Sequence, residues 1–128
     1  MGLLDFPIGD SEKDAQAEAV FSGREPLEDT QLWERYFRQY GVALSTVARV
    51  RGVLSVVLET DLSRIRDTDD FSKELAFFWE WDSMADVDAV VGLEKEFGIE
   101  ISDPEAQAMK SLKDIVLGVH EKVKSRPG

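Results

Sequence analysis

The stretch from Ser83 to Phe97 restricts the fold most, because its apolar residues recur at the spacing of an α-helix in two separate rows. The first row is Val90, Leu93 and Phe97, and the second is Met84, Val87 and Val91. A helix at the surface of a bundle needs one apolar row to face the core. The second row is therefore either a partly exposed contact strip bordered by acidic residues, or a face that another segment of the chain buries.

Several other segments also have helical spacing or helix-boundary residues. A front helix is expected to begin at Thr30 and end at Gly41, a second helix to span Leu44 to Glu59, and a last helix to run from a cap at Ser111 through Val123. A short helix is expected to start with Asp103 as its cap and Pro104 at its first position. The chain is therefore predicted to be all-α, a bundle of three main helices and a short one with an extra helix in front.

Outside these helices the chain has the composition of tail and loop. Gly and Pro punctuate residues 1–29, so this part is expected to be a flexible tail, with a short helix over residues 11–20 as the alternative. Residues 30–124 are expected to form the folded domain, and residues 125–128 a C-terminal tail. Residues 60–81 are expected to be a long loop, in which the run Phe77-Phe78-Trp79-Glu80-Trp81 has to pack inward or meet something else.

The acidic balance of the chain excludes whole classes of partner. Asp and Glu number 26 against 15 Lys and Arg, a formal net charge of −11. Nucleic acid and anionic membranes are repelled by such a chain, and a basic protein surface is its natural complement. No targeting segment and no apolar run long enough to span a membrane is evident, so a monomeric, cytoplasmic protein is expected.

Cys and His, the usual ligands of transition metals, are sparse in this chain. The chain has no Cys and a single His, His120, which is expected to lie at the boundary of the last helix. Asp67, Asp69 and Asp70 lack the Gly and Glu placement of a calcium-binding loop. No metal site is therefore expected.

Ser83 is the candidate for chemistry, because it lies at the start of the helix with two apolar rows. Its local sequence favours a purely structural role, in which Ser83 and Asp86 form an N-terminal capping box. No base lies nearby in sequence to activate the hydroxyl, so a hydrolase is not expected. From Asp82 to Glu105, eight acidic residues oppose Lys95 alone, a net charge of −7. Much of the negative charge thus follows Ser83 directly.

The motif around Ser83 and the helix that follows resemble the acyl carrier protein family. Asp82-Ser83-Met84 takes the place of that family's Asp-Ser-Leu triplet, Leu93-Glu94-Lys95-Glu96-Phe97 matches its Leu-Glu-x-Glu-Phe helix end, and Ile99-Glu100-Ile101-Ser102-Asp103 matches its connector. The similarity extends over residues 47–123. It implies the family's bundle of three main helices and a short one, in agreement with the all-α prediction.

The resemblance implies that Ser83, flanked by Asp82 and Met84, receives 4′-phosphopantetheine from coenzyme A through a phosphopantetheinyl transferase. The chain itself would then not be an enzyme. It would carry acyl thioesters between acyl-transferring or ketosynthase-type enzymes with basic docking surfaces, in fatty-acid, lipid or specialised-metabolite biosynthesis. The implied partner-binding residues are Met84, Asp86, Val87, Asp88, Val91 and Glu94. The implied acyl-pocket residues are Phe71, Leu93, Ile101, Ala106, Met109, Leu112 and Ile115.

Some residues depart from the family pattern. Met84 replaces the usual Leu, Ala85 stands where an acidic residue is common, and Lys95 interrupts a run of Glu, which lowers the negative charge of the implied recognition face. The aromatic run before Ser83 is also longer than the family's. Its side chains either contact the arm or a partner, or pack against Trp33, Tyr36 and Phe37 of the front helix. The alternative function is an unmodified carrier-like fold that acts as an interaction or scaffolding module.

Overall fold

The computed structural model describes residues 8–81 and 84–125, and the regular elements of these residues are helices. The α-helices are α1 Ile8–Phe21, α2 Asp29–Tyr36, α3 Leu44–Leu58, α4 Phe77–Trp81, α5 Ala85–Phe97, α6 Asp103–Ala108 and α7 Leu112–Ser125. A 3₁₀ turn, Arg38–Tyr40, follows α2, and one isolated antiparallel bridge joins Asp70 to Ser111. The prediction of an all-α fold is confirmed.

Helix α3 is the centre of the bundle, since α2, α5 and α7 all pack against it. Its inward residues Val47, Val50, Leu54 and Leu58 are buried with Leu93 and Phe97 of α5 and with Leu112, Val116 and Val119 of α7. Helices α3 and α5 approach each other closely at Gly92, where an added Cβ would lie 2.9 Å from Val53 Cγ1. These three helices are the main helices that the apolar periodicity predicted.

For the N-terminal part the sequence left two alternatives, a flexible tail or a short helix over residues 11–20, and the structure contains a helix that extends beyond residues 11–20 at both ends. Helix α1 occupies Ile8–Phe21, and Ala17, Phe21 and Leu27 belong to the buried core. The ammonium of Lys13 donates a hydrogen bond of 3.0 Å to the carbonyl oxygen of Leu58, at the C-terminal end of α3. Tertiary contacts thus fix a segment whose own sequence has few large apolar residues at helical spacing.

Helix boundaries follow the capping chemistry, with two corrections. The cap of α2 is Glu28 rather than Thr30, and the cap of α6 is Ser102 rather than Asp103. In both helices the residue three positions further on completes a reciprocal capping box. Ser111 caps α7 as predicted, since its Oγ accepts a hydrogen bond of 3.0 Å from the backbone N–H of Asp114.

The long connection between α3 and α4 is ordered by contacts on both sides. Leu62, Ile65, Phe71 and Leu75 are buried. The backbone N–H of Phe71 donates to the carbonyl oxygen of Lys110 at 2.7 Å. The backbone N–H of Leu112 donates to the backbone carbonyl oxygen of Asp69 at 3.0 Å. The connection is therefore held against the start of α7. Among the described residues no helix is long and apolar enough to cross a membrane.

Candidate functional site

The candidate site lies at the junction between α4 and α5. Asp82 and Ser83 lie outside the described residues, between Trp81, the last residue of α4, and Met84, the N-cap of α5. The predicted capping box of Ser83 with Asp86 therefore concerns a residue that the structure does not describe. The carboxylate of Asp86 accepts a hydrogen bond of 2.9 Å from the backbone N–H of Val87. The structure therefore describes the site through the residues of α4 and α5 that flank Ser83 in the sequence.

The second apolar row of α5 is exposed. Met84 retains 53% of its surface, Val87 47% and Val91 38%. On the opposite side of the helix, Ala85, Ala89, Leu93 and Phe97 are buried. Of the two alternatives left by the sequence, the exposed strip is the one observed in the structure. Val90, expected in the core row, is only half-buried and lines a groove beside α5.

The acidic residues on α5 fall into two groups. Asp86 and Asp88 are exposed beside the apolar strip. Glu94 is half-buried, and its Oε2 accepts a hydrogen bond of 2.8 Å from the backbone N–H of Ile101. This contact holds the connector between α5 and α6 in place. Of the three carboxylates predicted for partner binding, Asp86 and Asp88 are thus free to meet a partner at the surface, and Glu94 has a structural contact.

A groove of about 650 Å³ runs between α5, α6 and the segment that leads into α4. Its interior reaches the core, since the buried residues Leu54, Ala89, Leu93 and Ile115 contribute to it. Polar residues are also present, namely Ser72, Asp86, Asp103, Gln107 and Lys110. All five are exposed, so they form a polar rim. This combination of an apolar interior and a few polar groups at the edge is typical of small-molecule sites.

Five of the seven predicted acyl-pocket residues line this groove: Phe71, Leu93, Ala106, Met109 and Ile115. The other two, Ile101 and Leu112, are buried but do not line it. Sequence reasoning missed Trp79, Val87, Val90 and Val91 as groove residues. The signal in the sequence that could have found this wall is the adjacency of Val90, in the first apolar row, and Val91, in the second.

The aromatic run before Ser83 forms the short helix α4 and divides into two roles. Phe77 and Phe78 are buried, with ring centroids 4.4 Å apart, and the ring of Phe78 lies 6.2 Å from that of Phe71. Trp79 is half-buried, lies 5.6 Å from the Phe71 ring and lines the groove. The aromatic run therefore extends both the core and the groove.

Helix α4 packs most extensively against α1 and α5. Phe77 and Phe78 also belong to the same hydrophobic cluster as Phe37, and Trp33 and Tyr36 pack against that cluster. The indole N–H of Trp33 donates to the carbonyl oxygen of Val42 at 2.7 Å, and its ring contacts Arg38. The aromatic run thus enlarges the core, in which α1 also takes part.

An ion pair joins α6 to α7. Lys122 of α7 lies 2.7 Å from Glu105 of α6, and its hydrogen bond is the main cause that lowers the pKa of Glu105 from 4.5 to about 2. His120 is half-buried on α7, as expected for a boundary residue. Within residues 8–81 and 84–125, no cluster of His, Cys, Asp or Glu could hold a metal ion.

Comparison with known proteins gives several relatives, among them three that are named acyl carrier protein. The relative from Thermosynechococcus vestitus is 29% identical over 75 residues, 59% of this chain and 88% of its own length. The relative from Helicobacter hepaticus is 33% identical over 73 residues, 57% of this chain and 91% of its own length. The relative from Cylindrotheca sp. is 27% identical over 81 residues, 63% of this chain and 96% of its own length. No protein-family model matches the chain.

Proposed function

Because this chain belongs to the acyl carrier protein family, we propose that it carries acyl groups on a 4′-phosphopantetheine arm attached to Ser83. The observation that carries the proposal is the make-up of α5, the helix that follows Ser83 in the sequence. This helix combines an exposed apolar strip with one wall of a groove that reaches the core. A carried group needs an attachment point, a surface for partner enzymes and a place for its apolar chain. Ser83 is the proposed attachment point, and α5 contributes to the other two.

The attachment residue needs no catalytic neighbours of its own. The arm supplies a terminal thiol, on which an acyl group is held as a thioester. Ser83 contributes a hydroxyl at a helix start, and a separate phosphopantetheinyl transferase activates that hydroxyl. This division of labour fits a chain with no Cys and one His, His120, which lies far along α7. We propose a carrier that is not itself an enzyme.

The partner surface is the strip formed by Met84, Val87 and Val91 together with Asp86 and Asp88. Exposed apolar side chains bordered by carboxylates suit a partner with an apolar recess and a basic rim. The net charge of −7 over residues 82–105 adds a field that attracts such partners. We propose phosphopantetheinyl transferase and acyl-transferring or ketosynthase-type enzymes as those partners.

The groove fits an apolar cargo. It borders Asp86 and Val87, at the end of α5 that follows Ser83, and extends to buried Leu54, Leu93 and Ile115. An acyl chain placed there would leave water and contact mainly aliphatic side chains, which favours burial. The carrier would serve fatty-acid, lipid or specialised-metabolite biosynthesis, in the compartment where those enzymes reside, expected to be the cytoplasm.

Intact-mass measurement tests the proposal. The purified protein is incubated with coenzyme A, magnesium and a promiscuous phosphopantetheinyl transferase. One phosphopantetheinyl adduct is expected, and Ser83→Ala should abolish it. Ser72→Ala is the matched control, because Ser72 is exposed at the groove rim and should not affect loading. Lack of an adduct with several transferases would favour the alternative, an unmodified interaction or scaffolding module.

A further inference from the structure

Met109 lies between the groove and α7, with an anchored backbone and an adaptable side chain. Its backbone N–H donates to the carbonyl oxygen of Ala106 at 3.1 Å, at the end of α6. Its side chain is half-buried and lines the groove. The backbone is thus anchored, while the unbranched thioether side chain, with three rotatable bonds, adapts easily to its surroundings.

Gly118 of α7 provides the surface on which this side chain rests. A Cβ added to Gly118 would lie 2.7 Å from Met109 Cε and 3.7 Å from Met109 Cγ. The first distance is too short for two carbon atoms, so the Met109 methyl group occupies space that only glycine leaves open. Glycine inside a helix is less stable than alanine. Its presence in the middle of Leu112–Ser125 is therefore accounted for by this contact.

The groove selects by apolar burial, because its polar groups are confined to the exposed rim. Its inner wall is built by apolar residues, among them Leu54, Phe71 and Ile115. Met109 is the flexible member of that wall, because its side chain is unbranched. We expect its tip to move when a methyl group is added at Gly118. A displaced Met109 side chain would take up volume on the groove side, where it already forms part of the lining.

We propose that the contact between Met109 and Gly118 sets how much of a straight aliphatic acyl chain the groove shelters. The inference rests on the proposed carrier function and adds the residues that determine chain length. With Met109 against Gly118 the groove keeps its full depth. Residue 118 thus controls the cargo without touching it, through the position of one methionine.

Three variants test the pair against a matched control. Gly118→Ala displaces Met109 and shortens the groove, whereas Met109→Ala deepens it. The double variant should behave like Met109→Ala, because the added methyl group then has nothing to displace. Gly52→Ala in α3 is the control, since it makes the same change in a helix where an added Cβ meets nothing within 4 Å.

The measurement is the rate at which hydroxylamine cleaves the acyl thioester, for straight chains from butanoyl to dodecanoyl on fully loaded protein. Intact mass first establishes loading. For the longest chain that the unsubstituted protein shelters, Gly118→Ala should raise the cleavage rate about tenfold, the lower end of what one methylene contributes in an apolar pocket. Met109→Ala should extend protection to longer chains. The NMR chemical shift of the Met109 methyl group should change in Gly118→Ala but not in Gly52→Ala.

Two results would overturn the inference in distinguishable ways. If every variant loads and all protection profiles coincide, the contact does not set the sheltered length, and the carrier function stands. If no variant, including the unsubstituted protein, accepts the arm, the carrier function fails and the inference fails with it.

Discussion

Arg24 and Asp69 form a paired contact that ties the N-terminal part of the chain to the connection between α3 and α4. Arg24 Nη1 lies 2.6 Å from Asp69 Oδ2, and Nη2 lies 3.1 Å from Oδ1. Asp69 is only 3% exposed, and its Oδ2 also accepts from the backbone N–H of Arg66. The carboxylate is the main cause that raises the pKa of Arg24. A two-pronged pair around a buried carboxylate is among the stronger ionic contacts.

Arg24→Ala should destabilise the protein by about 2–4 kcal/mol, because it leaves a buried carboxylate without its charged partner. Chemical denaturation monitored by circular dichroism measures the change. Arg35→Ala is the control: its pair with Glu25 is exposed on both sides, so its loss should cost less than about 1 kcal/mol. Equal losses in the two variants would show that the Arg24 pair does not hold the N-terminal segment.

Gly92→Ala should destabilise the packing between α3 and α5 by about 1–2 kcal/mol. Its new methyl group would lie 2.9 Å from Val53 Cγ1, and the overpacking cost of about 1–3 kcal/mol exceeds the gain of up to about 1 kcal/mol from better helix propensity. Urea titration measures it. Val53→Ala in the same chain should remove most of the loss, and a Gly92→Ala variant as stable as Gly52→Ala would contradict the close approach.

The pair of Glu105 and Lys122 predicts an acid-dependent contact between α6 and α7. Because the folded pKa of Glu105, about 2, lies below its ordinary 4.5, this pair favours the folded state above pH 4.5, and the contribution is lost as the pH falls toward 2. Carboxyl-carbon NMR titration measures the pKa directly. Lys122→Met should move it upward toward 4.5, and an unchanged pKa in that variant would exclude Lys122 as the cause.

Reversing one charge beside the apolar strip should weaken partner recognition without weakening the fold. Asp88 is exposed, so Asp88→Lys should change stability by less than about 0.5 kcal/mol. The kcat/KM of a transferase with a basic docking surface should fall about tenfold at low salt, and the difference should shrink as salt is added. Glu34→Lys makes the same charge change at an exposed position of α2. An equal fall of kcat/KM in that variant would indicate an effect of net charge alone.

The helices with regular apolar spacing were predictable from the sequence, whereas α1 was only the alternative to a flexible tail and α4 was expected to be part of a loop. Helices α3, α5 and α7 bury residues at helical intervals. Helix α1 is held instead by contacts such as Lys13 with Leu58, and α4 has only five residues. Neither carries a repeating pattern long enough to identify a helix.

In the candidate site too, the local spacing of residues was predictable from the sequence, whereas the positions that depend on tertiary contacts were not. The exposed row of Met84, Val87 and Val91 was one of two outcomes that the spacing allowed, and the fold selected it. Trp79 was not predicted to line a groove, because its position depends on how residues 59–76 fold against α7. Glu94 has the sequence context of a surface carboxylate, yet its hydrogen bond to Ile101, seven residues later, gives it a structural contact.

The proposed carrier function is tested most directly by locating the modification within the chain. After incubation with coenzyme A and a promiscuous phosphopantetheinyl transferase, the protein is digested, and the peptide covering residues 74–95 and the peptides that contain Ser72 and Ser111 are fragmented in a mass spectrometer. We predict a single phosphopantetheinyl group on Ser83 and none on Ser72 or Ser111. A fully unmodified Ser83, or a group located on another serine, would contradict the assignment of this chain as an acyl carrier that acts through Ser83.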